Sequence, residues 1–198
     1  IVDFKKLNLH VLNYSTPVNM EIDLTELKNH LFTIPESPDW VPYRTSYYNR
    51  NWGFCLSHNQ FEKLPEGKYF VHVDSEIKPG ALTYGEYLVP GKTDKEVLFS
   101  CHICHPSLCN DNLSGIVLAT KMAEFLKTQD LHYSYRFLFI PGTIGSITWL
   151  SRNEEKLDKI SHGLVLTLLG DSSAFHYKKS RRGNAEIDKI MEYLLEKE

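Results

Sequence analysis

Imidazole, thiol and carboxylate side chains are concentrated in one short segment, residues 100–115, which reads SCHICHPSLCNDNLSG. His102 ends a short apolar run, Asp111 precedes an apolar segment of helical period, and Asp171 follows a later apolar run. Imidazole nitrogen and carboxylate oxygen are ligands that Zn²⁺ favours, and one carboxylate can bridge two metal ions about 3.5–4 Å apart. These residue types predict a zinc site on His102, Asp111 and Asp171.

The elements that must position these residues predict an α/β domain over residues 93–198. Strands buried on both faces of a sheet are expected at 96–101, 135–140 and 164–169. Helices are expected at 112–127 and near the C-terminus. A further helix is expected in the segment that contains Ile147, Leu150 and Leu157 and ends at about residue 159. The alternation predicts a mostly parallel sheet with flanking helices. Ligands bind such sheets at the carboxyl ends of the strands, where His102, Asp111 and Asp171 are expected to meet.

Residues 1–92 have a different residue pattern, which predicts a small, mainly β module. Short stretches rich in β-branched and aromatic residues alternate with Pro- and Gly-containing turns. Strands are expected at 9–12, 52–56, 69–73 and 84–89. One short helix, at about 24–31, is expected to be capped by Asp23.

Simpler interpretations of the 100–115 segment remain open. Asp111 could cap the following helix, and Ser114-Gly115 could let that helix approach the sheet. Cys101 is expected to be a small buried residue. Cys101 and Cys104 also form a C-x2-C pair, but a closed structural zinc site normally needs a second pair.

Composition excludes several functional classes. The 22 Lys and Arg residues against 25 Asp and Glu residues give a net charge of −3, which provides no electrostatic basis for nucleic-acid binding. No apolar run approaches the roughly 20 residues of a membrane span. The four Cys are bunched and no signal peptide is visible, so a cytoplasmic location is expected. The absence of an initial Met suggests that the chain begins inside a longer protein.

Several blocks resemble the bacterial aminopeptidase-like branch of the co-catalytic zinc peptidase superfamily. They are HICHPSLCNDNLSG (102–115), PGTIGSI (141–147) and YKKSRRGNAEID (177–188). TSYY (45–48) and WGFCLSH (52–58) resemble the small β domain nested in such proteins. The resemblance implies one or two zinc ions, peptide-bond hydrolysis by a metal-activated water, and a peptide or amino-acyl substrate. It is compatible with an oligomer, and some members of the branch are associated with polysaccharide biosynthesis.

The resemblance can be carried over position by position. The strand-end His ligand maps to His102, the bridging Asp to Asp111 and the later carboxylate to Asp171, although a strict alignment of strand ends would offer Thr167. The superfamily usually has an Asp two residues after the first His, and this chain has Cys104 there. His105 is the neighbouring residue that could orient the imidazole or serve as an alternative ligand.

One departure from the superfamily concerns catalysis directly. The position where the resemblance implies a general-base Glu is Gly142, which has no side chain. A C-terminal His ligand is also missing, so the implied hydrolase is expected to be impaired. The alternative function is a non-catalytic module that binds carbohydrate or protein through Tyr43, Tyr47, Tyr48 and Trp52. Large aromatic residues are mostly buried, so these four are expected to pack in the core.

Overall fold

The computed structural model describes residues 2–104 and 108–197, and the chain divides into two compact units after Gly80. From the sequence, the boundary was expected near residue 92. It lies earlier because the strand Gly85–Val89 pairs with Ser134–Ile140 and so completes the sheet of the second unit. The two units have separate hydrophobic cores.

The first unit contains two small sheets and two one-turn helices. Its strands are β1 (Val18–Asp23), β2 (Leu31–Phe32), β3 (Phe54–Cys55) and β4 (Lys68–Val73). Its helices are α1 (Leu24–Leu27) and α2 (His58–Phe61). β1 and β4 pair antiparallel, whereas β2 and β3 pair parallel. Ile22, Leu27 and Val71 form the centre of the core, so the predicted small β module is confirmed.

Local predictions for this unit need correction. The 9–12 stretch is not a strand: residues Asn8–His10 form a 3-10 turn, and Val11 makes one isolated bridge to Phe54. The helix expected at 24–31 is a single α-turn followed by a 3-10 turn. Asp23 precedes it in an extended conformation but makes no side-chain capping bond. Strand β1 was not predicted, although its residues alternate between apolar and polar as in a half-buried strand.

The second unit is built on a four-stranded sheet in the order β5-β7-β6-β8. Its strands are β5 (Gly85–Val89), β6 (Glu96–His102), β7 (Ser134–Ile140) and β8 (Ile160–Val165). β7, β6 and β8 run parallel and β5 runs antiparallel at the edge. The predicted mostly parallel sheet is therefore confirmed. The third parallel strand ends four residues earlier than expected.

Helices pack against this sheet as an α/β fold requires. They are α3 (Gly115–Leu126), α4 (Ile144–Arg152) and α5 (Glu186–Leu195). α3 contributes Ala119 and Ala123 to a core shared with Phe99 and Phe137. Small residues on the helix let it approach two adjacent strands whose side chains are large.

A buried ion-pair network connects strands β5, β6 and β7 to helix α4. Arg136 on β7 donates to the Glu96 carboxylate on β6, at 2.7 Å for its Nη2 atom, and also to Glu86 on β5. The second oxygen of Glu86 accepts from Trp149 Nε1 of α4 at 3.0 Å. These bonds raise the pKa of Arg136, with the Glu96 hydrogen bond as the main cause. The network fixes α4, whose N-terminus follows Gly142, against three strands.

Candidate metal site

His102 and Asp111 meet at the carboxyl end of β6, one of the two central strands of the sheet. His102 is the last residue of this strand, and its Nε2 atom is hydrogen-bonded to Asp111 Oδ1. The His102 side chain is partly buried, at 25% exposure, whereas the Asp111 side chain is mostly exposed. A partly buried imidazole is thus joined to a carboxylate that solvent can reach. Asp111 makes this contact instead of capping α3, where Ser114 holds the cap position without a side-chain capping bond.

Asn112 anchors the segment that carries Asp111. Its side chain is fully buried, and its Nδ2 atom donates to Leu166 O at 2.9 Å. Its Oδ1 atom accepts from Leu168 N at 3.3 Å, which fixes the orientation of the amide. The same Nδ2 atom lies 3.4 Å from His102 Nδ1. The amide therefore holds the residue next to Asp111 against both His102 and the chain that leaves β8.

Two further polar residues complete this attachment. Gly170 N donates to Asn110 Oδ1 at 2.7 Å, and Leu169 N donates to Ser114 Oγ at 3.0 Å. The predicted close approach at Gly115 is confirmed, because a Cβ atom there would lie 2.5 Å from Leu166 O. Hydrogen bonds thus connect residues 110–115 to residues 166–170. Thr167, the alternative ligand position, lies in the segment that Asn112 holds on both sides.

Asp171 belongs to a neighbouring hydrogen-bond group. Its Oδ2 atom accepts from Asn110 Nδ2 at 3.2 Å, and its Oδ1 atom accepts from Ser173 N at 2.8 Å and from the Ser173 hydroxyl. The bonds from Ser173 lower the pKa of Asp171. Asp171 is therefore a solvent-facing carboxylate, linked to the candidate site through the residue that precedes Asp111.

Gly142 and Cys104 lie against each other beside His102. Gly142 N donates to Cys104 Sγ at 3.2 Å, and a Cβ atom at Gly142 would lie 3.1 Å from that sulfur and 4.0 Å from His102 Cβ. The thiol thus borders the space that a side chain at position 142 would enter first. His105, the other predicted neighbour, lies outside the described residues.

The cysteines do not form a closed zinc site in the part of the chain that is described. All four are free thiols, and Cys101 is buried as expected. Burial raises the pKa of the Cys101 thiol to about 11, which keeps it protonated at neutral pH. Cys101 packs in the core beside Phe99 and Phe137, so it is a core residue.

The donor types fit zinc, but the site is incomplete across residues 2–104 and 108–197. Within those ranges no group of three His, Cys, Asp or Glu side chains is arranged to hold a metal ion. His102 and Asp111 supply an imidazole nitrogen and a carboxylate oxygen at one point, which is a pair that zinc accepts. Asp171 is not brought into a group of three with them, so its role as a ligand stays a prediction.

Sequence reasoning did not identify the residues that position this pair. Asn110, Asn112 and Ser114 use their side chains to bind backbone groups of the 166–170 segment. The available signal was the density of amide and hydroxyl residues around Asp111. Such residues readily bond to nearby backbone, but the sequence does not say which backbone they reach.

Membrane insertion through a helix has no support in the described ranges, since none of the helices there combines the length and apolarity that a bilayer crossing requires.

Comparison with known proteins supports an aminopeptidase-like fold. A protein of Clostridium acetobutylicum, provisionally named a polysaccharide biosynthesis protein with an aminopeptidase-like domain, is 53% identical over 98% of this chain. A crystal structure of a provisionally named peptidase from the same organism has a TM-score of 0.93 at 53% identity and covers 96% of this chain. The resemblance stated from the motifs is confirmed by these relatives.

The fold is also shared with zinc aminopeptidases of low sequence identity. The zinc aminopeptidase BSAP from Bacillus subtilis has a TM-score of 0.55 at 17% identity, with 88% of this chain and 49% of that chain covered. A medium-resolution structure of BSAP gives 0.57 at 15% identity, with coverage of 84% and 45%. At these identities the likeness describes the fold alone.

This chain spans less than half of its near relatives, 45% of both the named protein and the crystallised chain from Clostridium acetobutylicum. A family model matches almost all of it, from residue 8 to residue 198. The chain therefore belongs to the family described as a domain of unknown function, DUF4910.

Proposed function

We propose that this chain carries part of the metal centre of a zinc-dependent, aminopeptidase-like hydrolase, with His102 and Asp111 as ligands. The observation that carries the proposal is the hydrogen bond between His102 Nε2 and the Asp111 carboxylate at the end of β6. The end of a parallel strand is where α/β folds bind their ligands. The shared fold of the zinc aminopeptidases supports the same assignment.

Each residue of the site has a defined part in this proposal. A zinc ion held there would act as a Lewis acid and lower the pKa of a bound water to about 7. His102 and Asp111 would hold the ion, and Asn112 would keep both of them in place through its bonds to Leu166 and Leu168. Asp171 is the proposed third ligand, and it would have to leave Ser173 to join them.

The proposed hydrolase lacks a general base at the position that the resemblance implies. A water that attacks a peptide carbonyl must lose a proton, and general bases contribute about 10²–10⁴-fold to such steps. Gly142 offers no carboxylate at the position that the resemblance assigns to the base. We therefore propose that this chain hydrolyses peptide or amino-acyl compounds slowly, without nucleic acid or a membrane as partner. The comparisons do not favour a purely non-catalytic module.

Zinc content tests the proposal directly. The purified chain, incubated with zinc and then desalted, should retain equimolar zinc by elemental analysis. The double variant His102→Ala with Asp111→Ala should lose it, because both donors of the pair are removed. The matched control is His132→Ala with Asp94→Ala, which removes the same residue types from exposed positions in the same unit and should leave the zinc content unchanged. A metal-free parent chain, or a double variant that keeps its zinc, would contradict the assignment.

A further inference from the structure

We infer that the first unit binds an extended polypeptide segment along the free edge of strand β4. The binding site, named the β4 groove, consists of residues 69–72 of this strand and of an apolar cavity of about 350 Å³ beside them. A cavity of this volume lies within the range of pockets that hold organic ligands. All residues that line it belong to the first unit.

The ladder between β1 and β4 shows which backbone groups of β4 are paired. The two strands form a two-stranded antiparallel sheet whose register is regular from end to end. Leu24 N donates to Gly67 O at 3.0 Å just beyond the last pair of this ladder. Hydrogen-bonded pairs recur at every second residue of an antiparallel ladder, so Tyr69 and Val71 exchange their backbone bonds with β1.

The intervening residues, Phe70 and His72, direct their backbone N–H and C=O groups away from β1. His72 and Asn19 accordingly form a pair without backbone bonds, and their side chains approach to 3.2 Å between Nδ1 and Oδ1. Side chains lie closer together in such pairs. In the part of the chain that the structure describes, no other backbone group bonds to the free edge at Phe70 or His72.

The cavity lies along this free edge. Residues 69–72 all line it, whereas none of the described residues of β1 does. Successive side chains of a strand point to opposite faces, so a cavity on one face of the sheet would contact every second residue. Contact with four consecutive residues places the cavity beside the edge, next to the unpaired backbone groups of Phe70 and His72.

The other walls of the groove are apolar. They are formed by Val2, Leu27, Leu31, Phe54, Leu56 and Leu64. Leu31 and Phe54 pack against the same core as Val71, so these walls lie on the core-facing side of β4. A strand added to the edge would therefore bury every second side chain against apolar surface, which is favourable.

The aromatic residues expected in the core fall into two groups. Tyr43, Tyr47 and Tyr48 are exposed, so the expectation is wrong for these three. It holds for Trp52, which packs against the core and stacks on His30 at 3.7 Å. None of the four aromatic residues lines the cavity, so the β4 groove is separate from the aromatic surface on which the alternative function was based.

An extended polypeptide satisfies both the polar and the apolar requirements of the groove. Its backbone can form a ladder with the unpaired groups of an edge strand, and its alternate side chains can enter the cavity. A lipid chain would leave the backbone groups unpaired, and a sugar would leave the apolar walls uncovered. A second copy of this chain fits less well, because the core-facing side chains of its own β4, Tyr69 and Val71, are already packed.

Calorimetric titration of a designed peptide into the whole chain tests the inference. The probe is a blocked nonapeptide with lysine at both ends, valine at the even positions and threonine at the remaining odd positions. Two isomers carry three N-methyl groups each, one set on the threonine amides and the other on three valine amides. The unmodified peptide should bind. One isomer should bind about tenfold or more weakly than the other, because an added strand bonds to β4 through one edge only.

Proline substitutions test the site on the chain itself. His72→Pro removes an N–H group from the free edge and should weaken binding about tenfold. Asn19→Pro is the matched control, since Asn19 is the cross-strand partner and its N–H points to the far edge of the same sheet. Both variants lose the same side-chain hydrogen bond, and edge strands accept proline where the N–H faces outward. Asn19→Pro should bind like the parent, with thermal unfolding showing that both variants are folded.

Several outcomes would overturn the inference. They are an unmodified peptide that does not bind at about 1 mM, two N-methylated isomers that bind equally, and a folded His72→Pro variant that binds like the parent. Sedimentation analysis supplies one more, a parent dimer that His72→Pro dissociates, because the edge would then be occupied by a second copy. The comparison of the two isomers uses the parent chain, so it decides the matter even if a proline variant does not fold.

Discussion

At the scale of single residues, Gly142 and Cys104 determine whether a general base can be placed in the proposed catalytic site. Gly142 is not one of the glycines in the left-handed region, so its backbone accepts a side chain. The obstacle is steric, because a Cβ atom would lie 3.1 Å from Cys104 Sγ. A carboxylate restored at this position would therefore need the thiol to move or to be removed.

This geometry gives a prediction about catalysis. Gly142→Glu combined with Cys104→Ala should raise kcat/KM for an amino-acyl p-nitroanilide by about 100-fold or more in the presence of zinc, because a general base contributes that much. Gly142→Glu alone should gain less, since the thiol crowds the new side chain. The matched control is Gly142→Gln with Cys104→Ala, which has nearly the same volume and no base. Equal rates for the Glu and Gln variants would mean that position 142 does not provide the base.

Residue-scale prediction from the sequence succeeded where partners are close in sequence. His102 and Asp111 flank one loop between a strand and a helix, so the sequence could place them together. Asp171 was expected at the same sheet edge, and the structure links it to Asn110 and to Ser173. A serine two residues away is a common partner for an Asp carboxylate, and this local turn competes with long-range contacts in a way that periodicity does not reveal.

At the scale of elements, the attachment of α5 depends on one buried carboxylate. Asp188 in the first turn of this helix accepts from Ser180 N at 2.7 Å, Ser180 Oγ at 2.6 Å, Tyr177 OH at 2.8 Å and Ala185 N at 2.9 Å. These bonds, with those from Ser180 first, hold the pKa of Asp188 far below its ordinary value. The ionised carboxylate thus fastens the preceding basic loop to the helix.

The direction of this shift predicts acid sensitivity. A carboxyl group whose pKa is lower in the folded state stabilises the fold above its unfolded pKa, which is about 3.9 for Asp, and loses that contribution as the pH falls below it. The free energy of unfolding by urea should therefore fall between pH 5 and pH 2. In Asp188→Asn the overall stability should be lower at pH 7, and this part of the pH dependence should disappear. Asp130→Asn, an exposed substitution of the same type, is the control. An unchanged pH profile in Asp188→Asn would contradict the role given to the carboxylate.

The elements that the sequence predicted best are those buried on both faces. β6 and β7 contain continuous apolar runs, and the structure places them in the centre of the sheet. β8 lies at the edge, and its residues alternate between partly buried and exposed. Its polar positions, including His162, hid the beginning of the strand, while the apolar run at 164–169 continues into the segment bonded by Asn112. The sequence pattern therefore located the strand four residues too late.

At the scale of the whole molecule, separate cores imply separate contributions to stability. Ile22, Leu27 and Val71 belong to the first unit, whereas Phe99 and Phe137 belong to the second. The sequence indicated this division through a change in residue pattern. A boundary near residue 92, however, assigned the edge strand β5 to the first unit, whereas it belongs to the second. Pairing with β7 is a long-range contact, and local composition carries no information about it.

This division predicts how core substitutions act on unfolding. Leu27→Ala should destabilise the first unit by about 2–5 kcal/mol and Phe137→Ala the second by about 3–5 kcal/mol, because each leaves a cavity in a close-packed core. Native-state hydrogen exchange, read by mass spectrometry of peptides from each unit, should show faster exchange in the unit that carries the substitution and little change in the other. Phe70→Ala, at an exposed position of the first unit, should leave both unchanged within about 0.5 kcal/mol. If Leu27→Ala accelerated exchange equally in β6 and β7, the chain would unfold as one cooperative block and the two cores would not be independent.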